Sequence, residues 1–223
     1  IQISSNAQRI VFKADFNSQN KFKLYSVNPE GAGLVELSNF AHTNPTLGDF
    51  LVSSDSTKVV YESDNEVGGE EKLYVASISG ADPPAAITTT QRISSFSFTP
   101  DNQYLIYIGD NDIADKSELY YSTIDGVTQG KINDALDNAD DISSFVVSPD
   151  SLKVAYVGDQ TNTGVRSLFI KNRDGSGSAI QLNNGSLGAS PIGNFQFTDD
   201  STYMLFASEE SSADVFDLYS SPV

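Results

Sequence analysis

Apolar and polar residues alternate along this chain in runs of four to six, the period of strands whose side chains point to opposite faces of a sheet. Three such runs recur in fixed order. The segments Ile10-Val11-Phe12, Val59-Val60-Tyr61, Leu105-Ile106-Tyr107, Val154-Ala155-Tyr156 and Met204-Leu205-Phe206 lie 49, 46, 49 and 50 residues apart. Six residues before each aromatic stands a turn residue, Asn6, Asp55, Asp101, Asp150 or Asp200. Upstream of each turn come two apolar residues in period two: Ile1/Ile3, Phe50/Val52, Phe96/Phe98, Phe145/Val147 and Phe195/Phe197. These predict a first strand, a β-turn and a second strand per copy.

The ruler continues beyond the second strand. Nine residues after each turn residue lies an acid, Asp15, Asp64, Asp110, Asp159 or Glu209, and nine further on a leucine, Leu24, Leu73, Leu119, Leu168 or Leu218. Each leucine precedes an aromatic inside a β-rich run, which predicts a third strand. Polar turns such as Asp125-Gly126 and Arg173-Asp174-Gly175 then lead to a shorter fourth strand near Leu34–Leu37, Ala85–Thr88, Lys131–Asn133 and Ala179–Leu182. All length variation falls after the third strand.

Four antiparallel strands every 46 to 50 residues, with no helical period, predict an all-β chain of β-propeller blades. A stack of separate sandwiches is disfavoured, because a unit under 50 residues buries too little apolar surface to fold alone. No linker separates the copies, so one propeller domain over residues 1–223 is expected, with repeats at about 1–41, 42–90, 91–137, 138–187 and 188–223. The first copy begins within its first strand and the fifth reaches only its third, about nineteen strands in all. That fits a five-bladed ring or a piece of a six- or seven-bladed one.

Ser148-Pro149-Asp150-Ser151, the strand Lys153–Gly158, Asp159 and then Ser167-Leu168-Phe169 resemble the PD-type repeat of TolB-like propellers. Thr99-Pro100-Asp101-Asn102, Ser53-Ser54-Asp55-Ser56 and Thr198-Asp199-Asp200-Ser201 are similar to it, and the first copy is a degenerate version. The family's glycine after the turn aspartate is replaced throughout, by Ala7, Ser56, Asn102, Ser151 and Ser201, so those turns must avoid or tolerate a positive φ. The resemblance implies a non-enzymatic, protein- or peptide-binding propeller in the periplasm, secreted or at the cell surface. The same repeat also accompanies hydrolase domains in prolyl-oligopeptidase-like enzymes, so an accessory propeller of a larger hydrolase or surface protein is an alternative, as is a carbohydrate-binding or carbohydrate-active propeller.

Thirty acidic residues against thirteen basic give a formal charge of −17. That charge repels nucleic acid and anionic membrane surfaces and favours a basic partner. Cysteine is absent, which removes disulfides and thiolate chemistry, and the single histidine, His42, cannot form a multi-histidine metal site. No apolar run approaches the roughly 20 residues of a membrane helix. Asp49 and Asp141 on first strands have no third acid in register, and no nucleophile-elbow motif occurs, so no catalytic residue is assigned.

The second-to-third and fourth-to-first connections of a propeller share one face, which here gathers acids. The candidate binding residues are Asp64, Glu66, Asp110, Asp112, Asp115, Asp140, Asp141 and Glu209. No cofactor is expected, with calcium as the one ion such oxygens would take, its candidate ligands being Asp110, Asp112 and Asp115. Against that stands a structural use of the acid column, in which Asp15, Asp64, Asp110, Asp159 and Glu209 are expected to hydrogen-bond loop backbone amides and shape the connection to the third strand.

Overall fold

The computed structural model describes residues 1–16, 21–38, 45–64, 71–88, 92–112, 116–136, 141–160, 165–183, 192–212 and 215–223, the side chains of 210–212 excepted. Nineteen antiparallel strands form five sheets, and no helix occurs among the described residues. Blade 1 comprises β1 (Gln2–Ile3), β2 (Ile10–Ala14), β3 (Lys23–Val27) and β4 (Val35–Glu36). Blade 2 comprises β5 (Leu47–Val52), β6 (Lys58–Ser63), β7 (Lys72–Ser77) and β8 (Ala85–Ala86). Blade 3 comprises β9 (Ile93–Phe98), β10 (Tyr104–Gly109), β11 (Glu118–Thr123) and β12 (Gln129–Lys131). Blade 4 comprises β13 (Ile142–Val147), β14 (Lys153–Gly158), β15 (Ser167–Asn172) and β16 (Ile180–Gln181). Blade 5 has three strands, β17 (Ile192–Phe197), β18 (Tyr203–Ser212) and β19 (Val215–Pro222). Strands pair in chain order within each sheet; the fourth strands of blades 1, 2 and 4 are shorter than the sequence pattern predicts, and that of blade 3 keeps three residues but lies two residues earlier.

The chain divides into two compact units, residues 1–93 with 122–128, and 94–121 with 129–223. In the first, Val11, Leu24, Leu37, Val59, Tyr61 and Tyr74 form one buried cluster. In the second, Ile106, Leu119, Ile132, Val154, Tyr156 and Phe169 form another, and Ala155, Leu168, Ile170, Met204 and Phe206 a further one. The aromatics of the second and third strands stack within each blade: Phe12 on Tyr25, Tyr61 on Tyr74, Tyr107 on Tyr120, Tyr156 on Phe169 and Phe206 on Tyr219, with centroids 5.5–5.9 Å apart. The repeating aromatic columns are therefore core, as their period implies.

The turn motif repeats atom for atom. Ser53, Thr99, Ser148 and Thr198 each donate a hydroxyl to the carboxylate two residues on, at 2.5–2.6 Å, and Ser4 does so to Asn6 at 2.8 Å. The same hydroxyl accepts the amide five residues on, and the turn carboxylate accepts the amide two residues on. This side-chain scaffold holds the next residue in the left-handed region without glycine: φ is 57° at Ala7, 63° at Ser56, 55° at Asn102, 65° at Ser151 and 59° at Ser201.

Serine at that position also links blades. Ser56 Oγ accepts the Asn6 amide at 3.1 Å, Ser151 Oγ the Asp101 amide at 3.0 Å, and Ser201 Oγ the Asp150 amide at 3.0 Å. Each bond ties the turn of one blade to the turn of the next, which accounts for a side chain where the related repeats carry glycine.

Candidate functional site

In blades 2 and 4 the acid column closes the blade from within. Asp64 accepts the Thr46 amide at 2.5 Å and Asp159 accepts the Asp141 amide at 2.7 Å, each amide lying just ahead of its blade's first strand. Asp64, Asp110, Asp159 and Glu209 are all 8–9% exposed. The carboxylate at the end of the second strand thus fixes the entry of the first strand. This is the backbone-binding role the sequence suggested, but directed to a different connection. Asp15 of the degenerate first copy is exposed.

The other candidates are divided. Asp141 accepts the Ser117 amide at 2.8 Å, and Asp112 meets the Lys131 ammonium at 3.0 Å with half of its side chain exposed. Lys131 also reaches Glu118 at 3.1 Å, a residue 2% exposed whose other oxygen accepts the Tyr120 hydroxyl at 2.9 Å. Burial disfavours the Lys131 charge, but these two carboxylates outweigh it and raise its pKa. Glu66, Asp115, Asp140 and His42 lie outside the described residues. Asp110 and Asp112 belong to one loop, while Asp64, Asp141 and Glu209 sit in separate blades. No group of three or more His, Cys, Asp or Glu side chains able to hold a metal occurs among the described residues.

A second ionic cluster lies on the fourth-strand side of blades 3 and 4. Lys171, 7% exposed, contacts Asp134 Oδ1 at 2.5 Å, and Asp134 Oδ2 accepts the Ala179 amide at 2.9 Å. Burial opposes ionisation of Asp134, yet the Lys171 ammonium and that amide prevail and hold its carboxyl below the usual range. Gln160 joins the cluster, accepting from the Tyr156 hydroxyl and the Asp134 amide.

Blade 2 holds a carboxylate group that sequence reasoning missed. Glu62 lies over Gly48, where an added Cβ would stand 2.4 Å from its Oε2. Burial, repulsion from Glu71, a hydrogen bond shared with Glu71 and repulsion from Asp49 push the Glu62 pKa up to about 7, against the opposing pull of the Asp49 amide. The detectable signal was positional: the residue after the second-strand aromatic is Ile108 in blade 3, Val157 in blade 4 and Ala207 in blade 5, but Glu62 in blade 2.

No family model matches the sequence, and no curated protein matches it. Solved structures do. A putative TolB from Agrobacterium tumefaciens superposes with a TM-score of 0.58 at 18% identity, over 98% of this chain and 74% of that one. The chain has a TolB-like β-propeller fold. An oligogalacturonate lyase from Vibrio parahaemolyticus matches with a TM-score of 0.62 at 16% identity, over 99% of this chain and 61% of that one. Porphyromonas gingivalis dipeptidyl peptidase 4 matches at 0.67 and 12% identity, over 96% of this chain and 32% of that one. The TolB-like fold is thus shared with proteins of which this chain spans between a third and three quarters.

Proposed function

We propose that this chain is a non-catalytic TolB-like propeller that binds a protein or peptide of basic character in the periplasm or outside the cell. The observation that supports it best is a division of labour among the carboxylates. Asp64 and Asp159 fix strand entries, the turn aspartates shape turns and Glu118 and Asp134 pair with lysines, yet thirty acids against thirteen bases leave a formal charge of −17 that these internal contacts do not neutralise. Rigid blades carrying charged connections suit recognition rather than turnover. A second reading, an accessory propeller of a larger hydrolase, draws on the peptidase likeness, in which this chain corresponds to 32% of the other.

The test is a titration of fluorescent basic peptides at rising salt, with calcium and with chelator. Binding that weakens as salt screens charge, and that falls about two- to fivefold in the combined variant Glu66→Gln/Asp112→Asn, is expected. Binding indifferent to salt and to both substitutions overturns the acidic-face reading. Binding seen only with calcium assigns the loop acids to a metal.

A further inference from the structure

We draw no further inference here: the strongest candidate, the carboxylate cluster of Glu62, Glu71 and Asp49 over Gly48 in blade 2, is a group of acids beside which nothing else in the structure points to a ligand.

Discussion

Blades 1 and 4 have the same order of strands and the same turn hydrogen bonds, yet they differ at every position that reaches beyond the blade. Ser151 accepts an amide from blade 3, whereas its counterpart Ala7 has no hydroxyl. Gly175 sits against the Lys131 carbonyl of blade 3, whereas Gly31 has nothing within 4 Å. Within the blade the two also differ, Asp159 being buried on the Asp141 amide and Asp15 exposed. Blade 4 thus meets blade 3 through Ser151 and Gly175, whereas in blade 1 Ala7 lacks the hydroxyl and Gly31 keeps its turn without such a contact. A repeat position has a meaning set by what packs on it, not by its place in the ruler alone.

The largest effect that can break this comparison is at the glycines of the third-to-fourth turns. Gly175 has φ of 74°, and an added Cβ would lie 2.3 Å from the Lys131 carbonyl oxygen, so Gly175→Ala meets both backbone strain and a backbone clash. A loss of about 2–5 kcal/mol is expected from urea unfolding. Gly31 shares the positive φ, at 83°, without the clash, and Gly31→Ala should cost about 1 kcal/mol. Equal losses at the two sites would show that the blade contact contributes nothing.

The acid column comes next. Asp159→Ala strands the Asp141 amide and removes a charge-assisted hydrogen bond, a loss of about 1.5–3 kcal/mol. Asp15→Ala, at an exposed site, should stay within about 0.5 kcal/mol. Matching denaturation midpoints for the two variants would contradict the strand-fixing role assigned to the column.

A smaller pair sharpens the comparison by sign. Ala7→Gly relieves a positive φ and should stabilise by about 0.5 kcal/mol, after the extra freedom of glycine in the unfolded chain is counted. Ser151→Gly gains the same relief but loses the acceptor for the Asp101 amide, so it should destabilise by about 0.5–1 kcal/mol. If both variants gain stability, the serine ladder is not an interaction between blades.

The blades were legible in the sequence because strand period, turn chemistry and repeat length agree, and each is a local property. The replaced glycine left open whether the turns avoid or tolerate a positive φ, and five residues tolerate it. What the serines do there was not legible, since their partners lie about 50 residues away. The acid column illustrates the same limit: its tie to backbone amides could be read, but not that the amides belong to Thr46 and Asp141. The fourth strands of blades 1, 2 and 4 were overestimated because two paired residues and a side-chain bond from Ser38, Thr88 or Asn183 to the third strand do the work that the pattern assigned to a longer ladder. Glu118 lies buried against Lys131 and Tyr120, a contact that only folding of β11 beside β12 creates and that no local pattern announces.

An effect of similar size, read against pH, concerns Glu62, which replaces the aliphatic residue that blade 4 carries as Val157. Its pKa, raised from 4.5 to about 7, means that the folded state holds the proton more tightly than the unfolded chain. Below pH 4.5 both states are protonated and the contribution is complete. As pH rises towards 7 the unfolded chain ionises first and stability falls, and above 7 the loss is constant. Because the side chain is only half-buried, solvent screening limits the loss to about 1 kcal/mol. The groups facing it are Glu71 and Asp49, so Glu62→Gln, which keeps the shape and removes the charge, should flatten the fall in urea midpoint between pH 5 and pH 8 by that amount. Ser151→Gly should leave the pH slope unchanged. A slope that survives in Glu62→Gln would move the titration to another group and leave blade 2 no different in this respect from blade 4.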